Sequence, residues 1–212
     1  MKNIENKASG VIFKNPVLEF LSKTSPLITF TWVGLYAGVL LWLNTKLNAQ
    51  TSLYHTFLWF LAGLFAWTFF EYILHRFLFH WASEAKWVQR FTYILHGIHH
   101  EYPRDVQRVF MPPAPGTLFV LAFYCLFWAL LQNKVYAFLP GFLAGYFVYA
   151  YIHFIIHARK PFRNFKFWWT HHSLHHYKYP DKAFGVSSPL WDLVFNTMPK
   201  KSARTQENNI PN

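Results

Sequence analysis

Four long apolar stretches alternate with polar, basic segments along the chain of 212 residues. An apolar helix of about 20 residues crosses the hydrocarbon core of a bilayer, which is about 30 Å thick. Glu71 is the only charged residue inside these stretches. The pattern predicts an all-α integral membrane protein with four transmembrane helices, at residues 26–43, 53–74, 117–131 and 135–156.

The polar flanks of these stretches set the predicted domain boundaries. Residues 1–14 form a polar N-terminal tail, residues 15–199 form one membrane-embedded domain, and residues 200–212 form a disordered tail. Asn15 precedes a proline and a short apolar repeat, a combination that favours a short helix on the membrane surface. Only residues 132–134 separate the last two apolar stretches, so an antiparallel hairpin is expected there.

Composition supports a membrane protein. Hydrophobic residues make up 53% of the chain and charged residues only 14%, which leaves too little polar surface for a soluble globule. The net charge of +11 comes from residues that flank apolar stretches, so no nucleic-acid partner is expected. Cys125 is the only cysteine, which excludes an internal disulfide and a cysteine-based zinc site.

The placement of basic residues predicts the orientation in the membrane. With four spans, the N-terminal segment, the long middle connection and the C-terminal segment share one face, and they carry 18 of the 20 Lys and Arg residues. The positive-inside rule makes that face cytoplasmic. We therefore expect both termini and a helical cap in the cytoplasm. The membrane is the inner membrane in a bacterium and the endoplasmic reticulum membrane in a eukaryote.

Ten of the 12 histidines lie in four short clusters, HRFLFH, HGIHH, HFIIH and HSLHH. Imidazole is largely neutral near pH 7 and offers a lone pair to zinc, iron or copper. All four clusters fall on the predicted cytoplasmic face, so they can converge on one site. The candidate ligands are His75, His80, His96, His99, His100, His153, His157, His172, His175 and His176.

Spacing decides which of these imidazoles share a helix face. Three clusters contain two histidines four residues apart, which one helical face presents together. These pairs are His96 with His100, His153 with His157, and His172 with His176. His75 and His80 are five apart, about 140° around a regular helix, so that helix is predicted to end or distort between them.

Ten imidazoles exceed the capacity of one metal ion and suit two ions with about five nitrogens each. The pattern leaves iron and zinc open, although a metal pair at a lipid surface suits oxygen chemistry on a hydrocarbon better than hydrolysis. Glu71 precedes His75 by four residues and is a candidate to orient that ligand. The alternative for Glu71 is a carboxylate at the membrane edge.

Four stretches resemble the membrane fatty acid 2-hydroxylases, within the fatty acid hydroxylase and sterol desaturase superfamily. They are EYILHRFLFH, LHGIHHEYPRDVQRVFMPP, HFIIH and HHSLHHYKYPDKAFGVSSPLWDLVFNT. The histidine spacings are specific for the superfamily, and the resemblance extends over residues 15–197. The residues that favour the 2-hydroxylase branch are Asp105, Arg108, Pro112, Pro113, Phe184, Gly185, Trp191 and Asp192.

The resemblance implies that the ten histidines are catalytic ligands of a dimetal centre. This centre uses O2 and external electrons to hydroxylate C2 of a long acyl chain, free or in ceramide-type lipids, with iron expected for activity and zinc in a purified form. His171 joins Glu71 as a candidate to hydrogen-bond near the ligands. The haem-binding motif of a fused cytochrome b5 domain is absent, so a separate donor such as cytochrome b5 or ferredoxin is expected.

Two other functions fit the histidine pattern. One is a sterol, carotenoid or acyl desaturase or hydroxylase of the same superfamily. The other is a histidine-rich metal transporter or metal-storage membrane protein. Transport favours ionisable groups along a path inside the spans, whereas here only Glu71 and histidines at the span ends approach the apolar core, which favours the hydroxylase.

Overall fold

The computed structural model describes residues 4–6 and 9–200, which are mainly helical and contain no β-strand. The predicted tail at 200–212 lies outside this part of the chain from residue 201 onward. Two π-helices lie in this part of the chain, Leu74–Phe79 directly after the third α-helix and Tyr93–Gly97 between the fourth and the fifth. The α-helices are α1 (Pro16–Leu21), α2 (Pro26–Leu47), α3 (Leu53–Ile73), α4 (Lys86–Thr92), α5 (Ile98–Glu101), α6 (Pro113–Leu131), α7 (Val135–Ala158), α8 (Lys166–Tyr177) and α9 (Leu190–Val194).

In the described part of the chain, three stretches are long and apolar enough to cross a membrane, namely Pro26–Leu47, Leu53–Phe79 and Val106–Ala158. The third contains both α6 and α7, which cover the predicted spans 117–131 and 135–156. The prediction of an all-helical protein with membrane-spanning character is confirmed at this level. α6 begins before residue 117 because Pro113 occupies its first turn, where the missing N–H costs no helical hydrogen bond.

α6 and α7 form the predicted antiparallel hairpin. Gln132 reverses the chain with a positive φ of 53°. The rings of Phe127 and Phe138 lie 4.7 Å apart, and those of Phe123 and Phe142, one turn further from the reversal, are also 4.7 Å apart. Because contacts recede from the turn along both helices, the two helices run in opposite directions.

Two glycines bring α3 and α7 into close contact. A Cβ on Gly63 or on Gly141 would lie 1.9 Å from a main-chain carbonyl oxygen of the opposing helix. Further along, Trp67 packs edge-on against Tyr146 with ring centroids 5.3 Å apart. The contacts advance in the same direction along both helices. α3 and α7 are therefore parallel, and both deliver histidines to the same end of the bundle.

α2 packs against α7 in the opposite direction. Near its start, the Phe30 ring lies 4.3 Å from that of Phe147. Just beyond its end, Asn48 Nδ2 donates to the main-chain oxygen of Asn133 in the α6–α7 turn, at 2.8 Å. The starts of α2 and α6 and the ends of α3 and α7 therefore share one end of the bundle, called here the histidine end. The opposite end, with residues 48–52 and 132–134, is called the turn end.

The N-terminal segment 9–25 is attached to the connection before α6. Asn15 Oδ1 accepts from the main-chain N–H groups of the first turn of α1, which confirms the predicted helix start. Arg108 donates to the Glu19 carboxylate and, at 2.6 Å, to the main-chain oxygen of Gly10. These bonds hold α1 over the histidine end.

Candidate metal centre

The ten clustered histidines converge at the histidine end in two groups of five. In each group, one nitrogen from every ring lies within 4.8 Å of the others. The first group is His75, His80, His96, His100 and His175, and the second is His99, His153, His157, His172 and His176. The structure thus brings together all the predicted ligands, while their binding of metal remains a prediction.

A π-helix brings His75 and His80 onto one face. His80 N–H donates to the His75 main-chain oxygen at 3.2 Å, five residues back, within the π-helix Leu74–Phe79. This wider turn places the two rings 5.1 Å apart. The predicted distortion is confirmed, and such π-turns often occur at functional sites.

The clusters HGIHH and HSLHH are each divided between the two groups. The pair four residues apart stays together, and the third histidine joins the other group. Thus His99 leaves its neighbours for the second group, and His175 leaves its neighbours for the first. The rings of His100 and His176, one from each group, stack 4.2 Å apart. α5 and α8 therefore place the two groups side by side.

The separations between nitrogens fit metal ions. Neighbouring Nε2 atoms lie 2.9 Å apart for His157 and His172, and 3.2 Å apart for His100 and His175. With metal–nitrogen bonds of about 2.1 Å, two ligands at a right angle are about 3.0 Å apart. Five imidazoles at this spacing suit one ion of more than four coordination per group.

Burial keeps the clustered histidines that lie beyond the long helices neutral. It lowers the pKa of His80 and of His100 to about 3 in each case, helped by neighbouring imidazoles. The same causes, burial first, lower the pKa of five further clustered histidines well below the usual value of an imidazole. These are His96, His99, His172, His175 and His176. Neutral rings at pH 7 have lone pairs available for a metal ion.

Main-chain carbonyls orient two rings of the first group. His75 Nδ1 donates to the Phe184 oxygen at 2.5 Å, and His175 Nδ1 donates to the Lys182 oxygen at 2.7 Å. A carbonyl only accepts, so the proton sits on Nδ1 and the Nε2 lone pair faces the group. Sequence reasoning missed both carbonyls, because every residue type carries one.

Glu71 is connected to His75 through residues 184–187 and not by a direct hydrogen bond. Its carboxylate accepts from the main-chain N–H groups of Val186 and Ser187, at 2.6 and 2.8 Å, and from Trp67 Nε1 at 3.1 Å. The partner of His75 is a backbone carbonyl of the same segment, so direct orientation of His75 by Glu71 does not occur in this structure. Glu71 instead holds the segment that supplies the carbonyl.

His171 lies outside both groups. Its Nε2 is 3.2 Å from the Asp192 carboxylate, as expected of a residue that hydrogen-bonds rather than coordinates. Burial alone would raise the pKa of Asp192, but hydrogen bonds from His171, Thr197 and two main-chain N–H groups lower it. The sequence marks Asp192 as a residue that favours the 2-hydroxylase branch but gives it no partner, although an acid inside the apolar run LWDLVF is a signal for a buried carboxylate.

Two cavities reach the histidines. An apolar cavity of about 360 Å³ is lined by His75 and His96, by side chains of α2, α6 and α7, and by Ile12 and Leu18 of the N-terminal segment. A second cavity, of about 500 Å³, has a more polar lining that includes His100. Phe79 and His96 line both cavities.

Comparison with known proteins places this architecture in a family. The sequence model for fatty acid hydroxylase matches residues 60–197. A dihydroceramide fatty acyl 2-hydroxylase of Arabidopsis thaliana is 32% identical over 96% of this chain and 86% of its own length. A ceramide very long chain fatty acid hydroxylase of Saccharomyces cerevisiae is 39% identical over 90% of this chain, which spans 50% of that protein's length.

A solved structure is also similar. That of full-length scs7p, in which only the hydroxylase domain is visible, is 35% identical and has a TM-score of 0.80, covering 89% of this chain and 71% of the other. The family match, the curated relatives and the shared fold agree. This chain belongs to the fatty acid hydroxylase family, a family of oxidoreductases that act on lipids.

Proposed function

We propose that this protein hydroxylates C2 of long acyl chains in sphingolipid-type membrane lipids, with two metal ions bound by the ten clustered histidines. The names of its relatives, which include dihydroceramide and ceramide hydroxylases, support the substrate class. The observation that carries the choice of carbon is the position of Phe79 and His96, which line both cavities.

The two cavities suit the two parts of an acyl lipid. The hydrocarbon tail fits the apolar cavity, and the carboxyl or amide end fits the more polar cavity. C2 is the carbon next to that polar end, so it falls near the boundary between the cavities, beside Phe79 and His96. A hydroxylation site at this boundary favours C2 over carbons deeper in the tail.

The bound metals, with iron expected for activity, supply the activation of O2. The reaction replaces a C–H bond by C–OH and reduces the second oxygen atom to water, which requires two electrons and two protons. Cytochrome b5 or a ferredoxin is the class of donor expected to deliver the electrons. The histidines hold the ions, and the apolar walls fix the chain and exclude water.

The proposed arrangement in the membrane has four crossings, formed by α2, α3, α6 and α7 of the domain 15–199. The alternating directions of these helices support a cytoplasmic histidine end, as does the location there of 14 of the 16 Lys and Arg residues in the described part of the chain. The centre then lies just below the cytoplasmic headgroups, where lipid substrate and soluble donor both reach it.

The proposal is tested by mass spectrometry of total lipids from cells with and without this chain, co-expressed with an electron donor. The expected result is a gain of one oxygen, placed at C2 of the acyl chain by fragmentation. A His157→Ala variant present at equal amount in the membrane should show no gain. Oxygen added at another carbon, or on a sterol, would refute the proposal.

A further inference from the structure

Residues 182–187 contact only one of the two histidine groups. The carbonyls of Lys182 and Phe184 accept from His175 and His75, which both belong to the first group. Ala183, between them, is fully buried and has a φ of 57°, which residues with a Cβ rarely adopt. A conformation of this kind persists only where its surroundings impose it.

Two buried carboxylates hold the backbone that follows Ala183 in this conformation. Asp192 accepts from the N–H groups of Phe184 and Gly185, at 2.9 and 2.8 Å. Glu71 accepts from those of the next two residues, at 2.6 and 2.8 Å. Four successive main-chain N–H groups therefore end on two acids, one from α9 and one from α3. The carbonyls at positions 182 and 184 are fixed as a result.

Among the described residues, segment 182–187 donates or accepts no hydrogen bond with the second group, in which the main chain of Pro103 bonds His157 instead. The Nδ1 atoms of His99, His172 and His176 are buried and have no hydrogen-bond partner within the described residues. The groups also differ in what they face. Of the ten clustered histidines, only His75 and His96, both in the first group, line the apolar cavity.

We infer that Asp192 and Glu71 are positioning residues for the metal of the first group alone, which makes the two metals unequal. The first ion would be held by imidazoles that the main-chain carbonyls of Lys182 and Phe184 orient, and it would lie beside the apolar cavity. The second ion would be held by imidazoles that residues 182–187 do not orient. This inference rests on the proposed function, in which each group binds one ion.

Metal binding distinguishes the groups without recourse to turnover. The full-length protein, purified in detergent, is loaded with Zn²⁺ and titrated with a competing chelator, and bound zinc is counted by elemental analysis. The parent should hold two ions. Asp192→Asn should hold one with parental affinity and the other about 10- to 100-fold more weakly, the usual effect of losing an outer hydrogen bond. Glu71→Gln should show the same pattern.

Two further variants assign the weakened site. Asp105→Asn changes another buried aspartate, whose carboxylate accepts from Gln107 N–H at 3.2 Å and from Ser9, away from residues 182–187. It should retain both ions at parental affinity. Asp192→Asn combined with His157→Ala, which damages the second group, should retain no tightly bound ion.

Each contrary result has a definite meaning. Parental affinity at both sites in Asp192→Asn and in Glu71→Gln would refute the inference, as would an equal loss at both sites, which indicates a general effect on folding. If Asp192→Asn does not fold, Glu71→Gln decides alone by the same criteria. A parent protein that saturates below two ions would instead refute the proposed dimetal centre.

Discussion

Each histidine group acts as a unit, because five imidazoles surround one small volume. Removing one ring leaves the other four without the geometry that defines the site and opens space for water. Functional groups that act together lose activity together when one is removed. Single substitutions should therefore abolish turnover rather than reduce it by a share.

We expect His80→Ala, His99→Ala, His157→Ala and His176→Ala each to lower 2-hydroxylation by about 100-fold or more. The measurement is the ratio of hydroxylated to unmodified lipid at equal protein in the membrane. His55→Ala is the matched control, because His55 is exposed at the turn end, with Nδ1 2.8 Å from Ser52 Oγ. Its activity should equal that of the parent. Near-parental turnover in the other four would contradict a catalytic role for the groups.

At the level of elements, the contact between α3 and α7 sets the position of the histidines they carry. Small residues allow helix backbones to approach closely in a membrane. Gly63→Ala or Gly141→Ala forces a Cβ against a carbonyl oxygen, so the helices must separate. We expect a cost of about 1–3 kcal/mol in the free energy of unfolding and a lower metal content.

Thermal unfolding in detergent measures this effect. Gly38→Ala provides the matched control, because nothing lies within 4 Å of a Cβ added to Gly38 in α2. That variant should unfold at or slightly above the parental temperature, since alanine is the better helix former. Equal unfolding temperatures for Gly38→Ala and Gly63→Ala would show that the close contact is unimportant.

The N-terminal segment 9–25 depends on an ionised Glu19. Burial alone would raise the pKa of Glu19, but the N–H groups of Phe13 and Ile12 and the Arg108 guanidinium lower it below the usual 4.5. A lowered pKa stabilises the folded form above the unfolded value of 4.5. That stabilisation is lost as the pH falls through the folded pKa.

We expect Glu19→Gln to ease local opening of this segment by about 1–3 kcal/mol at pH 7, with the difference from the parent shrinking below pH 4.5. Hydrogen exchange at the amides of Ile12 and Phe13 measures the opening. Lys23→Gln is the control, since the partly buried Lys23 ammonium, 3.5 Å from the Glu19 carboxylate, forms an i,i+4 pair of the kind that contributes little. If the difference in opening free energy between Glu19→Gln and the parent does not change with pH, the charge of Glu19 is irrelevant to the attachment of segment 9–25.

For the whole molecule, the two ends of the bundle should face opposite sides of the membrane. Glu84→Cys at the histidine end and Thr51→Cys at the turn end, both exposed, report the two sides. The background is Cys125→Ala, since that cysteine is exposed. In intact bacterial cells that express the variants in the inner membrane, an impermeant thiol reagent should label Thr51→Cys and spare Glu84→Cys. Labelling of Glu84→Cys from outside would overturn the four-crossing arrangement.

Much of this architecture is predictable from the sequence, because apolar length and histidine spacing are properties of side chains. The four long helices, the hairpin at residues 132–134 and the distortion between His75 and His80 all follow from them. The division of HGIHH and HSLHH between two groups does not, because it depends on how α5 and α8 pack. The carbonyls that orient His75 and His175 depend on the path of the backbone and leave no mark in residue type.

The division of the histidines also bears on how the protein is made. α8 supplies His175 to the first group and two histidines to the second, so the first group is complete only once residue 175 has been synthesised and the second only at residue 176. By then α2, α3, α6 and α7 have already been synthesised. The complete metal sites therefore form after the membrane helices have been made, and loading is a late step in biogenesis rather than a nucleus for insertion.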